Sequence, residues 1–311
     1  MKQRDLEYAV IILNYNTIND AITAASTVNI NSQSENYVIC IADNNSQNEY
    51  DKQKLKELKM RNVITLQISC NHGYAKGNNE AILFLLEMYN PRFIVIMNPD
   101  VQVIEEGTIE KLIKEIDNAG ENIVGGQPLV WNYHYSSHPE SQINIRRVSN
   151  YYDECIQSLL LFKMIFRKQY KNFCYLDKTP YKHNITFESP SGAFFVINTN
   201  FFSKVNFFDE NTFLYYEEII LGFKTAQQGK KFLLVPACKV KHEHGKSTGH
   251  NRFTIDKKGF RYLTQSRIYY AKEYLGVGHI KILFLYLLAY VDFYIKKFIC
   301  LSQKMLKGKR V

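Results

Sequence analysis

The chain has 311 residues, of which 46% are hydrophobic and 22% charged; this excludes a largely disordered protein and leaves room for one large domain or a core with an extension. The formal net charge of +9 is uneven, because from Lys281 onward there are seven basic residues against one acid, Asp292, so the tail supplies +6 of it. That distribution argues against a nucleic-acid surface spread over the fold and for one local contact with something anionic.

In chain order, the first 130 residues alternate strand and helix. The runs YAVIIL (8–13), YVICIA (37–42), VITLQI (63–68) and FIVIM (93–97) are short and β-branched. Such nearly continuous apolar runs suit strands buried on both faces of a parallel sheet. Helical stretches are predicted at about 17–31, 50–60 and 75–89, and at 108–118 after the fourth strand. The βαβα rhythm predicts an α/β fold. Residues 132–188 break it: they are aromatic and basic, read as an insertion or lid, and are helical near 152–168. A strand-like AFFVI (193–197) returns to the core. The six cysteines show no CxxC spacing, which fits a reducing compartment rather than a zinc ribbon. The short apolar run at the N-terminus leads straight into strand, so no signal peptide is expected.

Polar clusters follow the four strands: NYNT (14–17), DNNS (43–46), NHGYAKGNN (71–79) and NPD (98–100). Each is also ordinary turn chemistry. Open α/β sheets bind ligands beyond the carboxyl ends of their strands, so four clusters at four such ends predict one composite site. Asp43 ends a buried strand, where a carboxylate can accept a uracil or thymine N–H or a ribose hydroxyl. Asn14 and Asn16 end the first strand and are candidates for the same pocket. Asp100 is a candidate ligand for Mg2+ or Mn2+, since hard cations take carboxylate oxygens and Mg2+ often takes only one or two of them. In the segment HEH (242–244), His242 and His244 share a side if the backbone is extended. His242 is a candidate second ligand, with Lys246 and Ser247 as possible phosphate contacts.

Taken together, VIILNYN, ADNNS, NHGYAKGNNEAI, MNPDV, SGAFFVI, FDENTFLYYEE and VKHEHGKS, in that order, resemble the inverting nucleotide-sugar glycosyltransferases of family 2. The resemblance covers roughly residues 8–275 and is nearest to rhamnosyltransferase-like enzymes of bacterial capsule, O-antigen and cell-wall synthesis. It implies a GT-A fold, with a Rossmann-like nucleotide-binding half, a mixed central sheet and a C-terminal helical extension. It implies a catalytic domain over 1–275, divided into a nucleotide-sugar half (1–130) and an acceptor half (131–275), followed by a basic amphipathic tail (276–311). It further implies that Asn14, Asn16, Asp43, Asn71, Gly73, Lys76, Asn79, Asn98 and Asp100 serve the donor. MNPDV corresponds to the DxD motif of the family, with Asn98 in place of its first acid. The partners implied are a nucleoside-diphosphate sugar and a glycan or lipid-linked acceptor, with no nucleic acid.

The stretch FLYYEEIILGF sets Glu217 and Glu218 in apolar surroundings. A helix start with acids favourable to its dipole would explain them locally. The family resemblance instead implies that the second acid, Glu218, is the catalytic base, with Glu217 beside it. Ile220 stands where the family has a third acid. Two other readings are a sugar nucleotidyltransferase and a non-catalytic membrane-associated binding protein. The first needs a Gly-rich basic loop after strand one, and NYNTIND has neither Gly nor a basic residue. In the tail, ILFLYLLAYV (282–291) is cut by Asp292 and followed by lysines, too short and too charged for a spanning helix. The expectation is a helix lying on an anionic membrane, on the cytoplasmic inner face; the alternative is a helix packed on the catalytic domain or on a partner subunit.

Overall fold

A computed structural model describes residues 3–132, 145–243 and 256–308, with side chains as far as Ser302. The first half alternates as expected: β1 (Arg4–Asn14), α1 (Ile18–Asn31), β2 (Tyr37–Asp43), α2 (Glu49–Glu57), β3 (Val63–Gln67), α3 (Tyr74–Met88) and β4 (Tyr89–Met97). After it come β5 (Val101–Val103), α4 (Thr108–Asn118) and β6 (Ile123–Asn132). The insertion holds three short helices, α5 (Tyr151–Ser158), α6 (Leu160–Ile165) and α7 (Arg167–Phe173). The chain then runs through β7 (Ile185–Phe187), β8 (Phe194–Asn198), α8 (Thr199–Lys204), α9 (Glu217–Gln227) and β9 (Lys231–His242). Two helices close the described chain, α10 (Lys257–Glu273) and α11 (His279–Gly308).

The strands form one mixed sheet in the order β3-β2-β1-β4-β8-β6-β9-β5, with β7 also paired to β9. The first four are mutually parallel, and β8 runs antiparallel to both β4 and β6. Strand β1 shows why these runs are strands: Tyr8, Val10 and Ile12 join one core cluster, and Ala9 and Ile11 join the other. Alternate side chains thus bury on opposite faces, and helices cover both.

Four strands lay outside the sequence reading: β5, β6, β9 and the three-residue β7, which falls within the stretch read as an insertion. β6 contains Gly125, Gly126 and Pro128, and its pairing with β9 shifts register at Pro128/Leu129. Strand β9 carries Pro236 in the same irregular stretch. Proline within a sheet is confined largely to bulges and edges, so the residues that blur the strand signal mark real irregularities. β5, at three residues, is too short to show a pattern.

The insertion is tied to the body by a buried polar network. Glu154 on α5 is fully buried, and its carboxylate accepts from Ser149 Oγ (2.5 Å), Arg267 Nε (3.2 Å) and the Tyr216 hydroxyl. Arg267, on α10, also donates to the Tyr216 hydroxyl at 2.8 Å. The Tyr270 hydroxyl donates to the Ser149 carbonyl at 2.8 Å. Helix α11 continues this packing: Leu285 and Leu288 bury against Cys155, Leu159 and Ala271. Asp292, which interrupts the apolar run, accepts from the Leu160 backbone N–H at 2.8 Å and pairs with Lys296 at 2.6 Å. It therefore caps the start of α6. The first half of the tail packs on the protein, as one of the two sequence expectations had it.

Glu154→Ala leaves Arg267 buried without its carboxylate. Removing one partner of a buried ion pair costs about 3–5 kcal/mol, so the midpoint of denaturant unfolding should fall by that equivalent. An unchanged midpoint would show that the network contributes nothing net.

Candidate active site

The carboxyl ends of β1, β2 and β4 meet where the strand order reverses between β1 and β4, the place where open α/β sheets carry their ligands. A cleft of about 300 Å3 opens there. Its walls include Tyr15, Asn44, Asn71, Asn98, Tyr215 and Tyr262.

A buried hub braces the strand ends under this cleft. Asn14 and Asp43 are register partners across β1 and β2 and are both fully buried. The Asp43 carboxylate accepts from Asn14 Nδ2 (2.6 Å), Ser46 Oγ (2.5 Å), the Ser46 N–H (2.9 Å) and Gln67 Nε2 (2.8 Å). Asn14 Oδ1 in turn accepts the Thr17 N–H at 3.0 Å. A buried carboxylate needs this many donors to offset its lost hydration. Asp43 and Asn14 thus hold the loops in place from inside, and neither side chain lines the cleft. Asn16 is exposed, with φ of 61°, and its Oδ1 accepts the Gln47 N–H. Sequence reasoning found the strand ends but passed over Tyr15, Thr17 and Asn44, which line the cleft. Their place one residue from the named Asn14, Asn16 and Asp43 was the available signal.

The third cluster divides in the same way. Asn71 lines the cleft, and its Oδ1 accepts the Gly73 N–H at 2.9 Å. Gly73 adopts φ of 86°, and a Cβ there would collide with the Phe213 carbonyl. Only glycine lets the two segments approach so closely, and the Tyr74 N–H completes the contact by donating to that carbonyl at 2.8 Å. Lys76 is half-buried on α3, outside the cleft lining. Asn79 is buried and binds the Phe208 carbonyl and N–H at 3.0 and 3.1 Å, tying the aromatic loop before α9 to α3.

Asp100 and His242 meet although they are distant in the chain. Strand β5 starts directly after Asp100 and pairs antiparallel with β9, with Val101 opposite His242. The Asp100 carbonyl accepts the Glu243 N–H at 2.9 Å. This register sets His242 Nε2 3.2 Å from Asp100 Oδ1, a buried oxygen with no hydrogen-bond partner. A buried carboxylate oxygen left orphaned beside an imidazole fits a divalent-cation site completed by water and phosphate oxygens. Among the described residues no cluster of three or more His, Cys, Asp or Glu could hold a metal. His244, Lys246 and Ser247 lie outside the described residues.

The two glutamates open α9. The chain reaches them through Tyr215 and Tyr216, both left-handed at φ of 74° and 75°. Two consecutive bulky residues in that region are costly, and the Glu154–Arg267 network holds the second of them. Glu217 is 2% exposed, and its Oε1 has no hydrogen-bond partner. Glu218 is partly exposed and presses on Gly192, where a Cβ would collide with its carboxylate. Burial, then the neighbouring Glu218 charge, pushes the Glu217 carboxyl well above the ordinary range. Burial also raises Glu218, against the pull of Arg146. Protons leave such a pair in two steps, and Glu218, more exposed and nearer a cation, ionises first. Ile220 is fully buried against Tyr216 and Tyr270, so the position of the missing third acid is core.

Tyr74 links the acids. Its hydroxyl donates to the Gly192 carbonyl at 2.8 Å. Burial, followed by the charges of Glu218, Glu217 and Asp100, raises its phenol far above the usual value. The charges of the expected base and of the expected metal ligand therefore both act on one half-buried tyrosine, which itself lines the cleft.

The sequence and the fold have known counterparts. The chain is 24% identical to the rhamnosyltransferase WbbL of Escherichia coli (strain K12) over 248 residues, 77% of this chain and 87% of that protein. Among solved structures, the mannosyltransferase PcManGT of Pyrobaculum calidifontis, in complex with GDP-Man and Mn2+, matches with a TM-score of 0.55 and 11% identity, covering 98% of this chain and 76% of that one. GalNAc-T7 with UDP, GalNAc and Mn2+ matches with a TM-score of 0.55 and 16% identity over 76% of this chain, which spans 44% of that protein. The fold is GT-A, as the sequence resemblance implied. The profile of Glycosyl transferase family 2 matches residues 9–198, more than half of the sequence, and the chain belongs to that family.

Proposed function

We propose that this glycosyltransferase moves a sugar, with inversion, from a nucleoside-diphosphate donor to a hydroxyl of a glycan or lipid-linked acceptor. The observation that supports it most is the convergence of Asp100–His242 and Glu217–Glu218 around Tyr74, beside a cleft at the strand ends. The donor lies over the loops braced by Asn14 and Asp43, against Asn71, Gly73 and Asn98, with Asn16, Lys76 and Asn79 shaping the surrounding segments. Asp100 and His242 are the residues that would hold Mg2+ or Mn2+. A cation bound there would neutralise the charge of the departing diphosphate. Both solved relatives above carry Mn2+.

Glu218 acts as the general base. It takes the proton of the acceptor hydroxyl as that oxygen bonds to the anomeric carbon, and the nucleoside diphosphate leaves from the opposite face. Glu217, the more buried acid, keeps its proton longer and so spares Glu218 the repulsion of a second negative charge. A rhamnosyl donor and a role in bacterial surface polysaccharide such as capsule or O-antigen, at the cytoplasmic face of the membrane, follow the likeness to the rhamnosyltransferase. The catalytic unit is then 1–275 and the tail 276–311 an accessory.

Glu218→Gln is close to isosteric and removes only basicity. Release of nucleoside diphosphate in the presence of acceptor should fall about 10²–10⁴-fold while donor binding persists. Near-normal turnover would assign the base elsewhere. Because burial raises Glu218, the wild-type enzyme should lose activity as pH falls through a value above the ordinary glutamate range of about 4.3. An acid limb at the ordinary value would point to a solvated base.

Asp100→Asn should remove the metal-dependent part of nucleoside-diphosphate binding. Titration calorimetry with and without Mn2+ reads this without turnover. Equal metal dependence in the variant and the wild type would sink the assignment of Asp100.

A further inference from the structure

Between Ile280 and Phe298 one side of α11 turns apolar side chains to solvent. Ile280, Leu283, Leu287, Tyr294 and Phe298 are exposed, at spacings of three, four and seven residues that place them on one side of the helix. Asp292, on the packed side, draws α6 against this helix through the Leu160 N–H. Helix α6 also turns apolar side chains to solvent: Leu161 is 51% exposed, Met164 67% and Ile165 62%. Two elements from distant parts of the chain thus meet at the Asp292–Leu160 contact, and on the side of α11 nearer that contact Ile295 and Ile299 are exposed as well, so apolar side chains of both helices reach solvent around their junction.

The rim of this face is cationic. From Leu160 to Phe173 the sequence holds Lys163, Arg167, Lys168 and Lys171 and no acid. Lys296 and Lys297 stand on the neighbouring stretch of α11, and the one acid there is already bonded to Leu160 and Lys296. Burial, then the charge of Lys296, pushes the Lys163 amine down to about 8. Crowded cations flanking apolar side chains are complementary to a surface that is anionic at its face and apolar beneath. A second copy of the chain fits poorly, since a symmetric contact would set like charges against one another. No helix among the described residues is long and apolar enough to cross a membrane.

The face also reaches the cleft. Gly259 and Tyr262 line it, and between them Phe260 packs on Phe293 and Tyr290 of α11, with ring centroids 4.4 and 5.3 Å apart. A surface resting on α11 therefore lies beside the first turn of α10, at the edge of the cleft.

We propose that α6, the basic α7 and the outer side of α11 form one interfacial platform that seats the protein on an anionic lipid bilayer with the cleft opening at its margin. The apolar side chains enter the acyl boundary, and the lysines and arginines meet lipid phosphates. The platform goes beyond the transfer reaction, and its test does not depend on turnover.

The full chain is sedimented with phosphatidylcholine vesicles, with and without phosphatidylglycerol. Binding should require the anionic lipid and weaken as salt rises. The double variant Met164→Glu/Ile165→Glu, with the tail intact, should bind at least about tenfold more weakly at unchanged circular dichroism. Leu287→Glu/Phe298→Glu should do the same from the other helix. Undiminished binding by the α6 variant would remove α6 from the platform and overturn the proposal. So would equal binding to neutral vesicles, or a wild-type protein that ignores vesicles and dimerises instead.

Discussion

The structure depends on one buried charge pair. Glu154 and Arg267 share the Tyr216 hydroxyl in the interior, where an unpaired charge would be several kcal/mol too costly to keep. The three residues belong to the insertion, the penultimate helix and the residue that starts α9. Joining them fixes the insertion on the body and holds Tyr216 left-handed, and the chain then enters α9 with two acids in its first turn. The Asp292 contact with Leu160 lengthens the same assembly into the tail. Specificity is what such a pair supplies here: an apolar substitute could fill the space but would not dictate the direction in which α9 starts.

The site is one of the places where ordinary rules of stability are broken. Glu217 and Asp100 each keep a buried carboxylate oxygen without a hydrogen-bond partner, and two tyrosines in succession occupy the left-handed region. The charges of Glu217 and Asp100 both act on Tyr74, while the Asp43 carboxylate has four donors. Buried polar groups without partners and strained backbone concentrate where a ligand completes them. The contrast separates buried polar residues whose hydrogen bonds are filled within the fold from those left with an unfilled oxygen.

Division of labour along the chain follows from this. The parallel half of the sheet carries loops that line the cleft, the aromatic loop before α9 is tied to α3 by Asn79, and the antiparallel pairing of β5 with β9 brings Asp100 to His242. Helices α5, α10 and α11 form a second layer behind the acids. That layer touches the cleft through Tyr262, whose ring stacks on Phe213 at 4.5 Å.

The sequence by itself determined the α/β class, the first four strands and their helices, the helical insertion and the ends where polar loops gather. These are local properties: β-branched runs, helical spacing and turn residues report on their own neighbourhood. The pairing of Asp100 with His242 was legible only as two candidates, because their contact is made by the register of β5 on β9. Asp43 and Asn14 read as ligand contacts, and only packing shows that they also bond Ser46, Gln67 and Thr17. Glu154 carries no signal of its own in an aromatic and basic insertion, and Asp292 reads as a break in an apolar run. Each has partners far away in the chain, and no periodicity encodes a contact between distant segments. Tertiary structure decided them, since a buried carboxylate takes its meaning from whatever the rest of the fold brings within hydrogen-bonding distance.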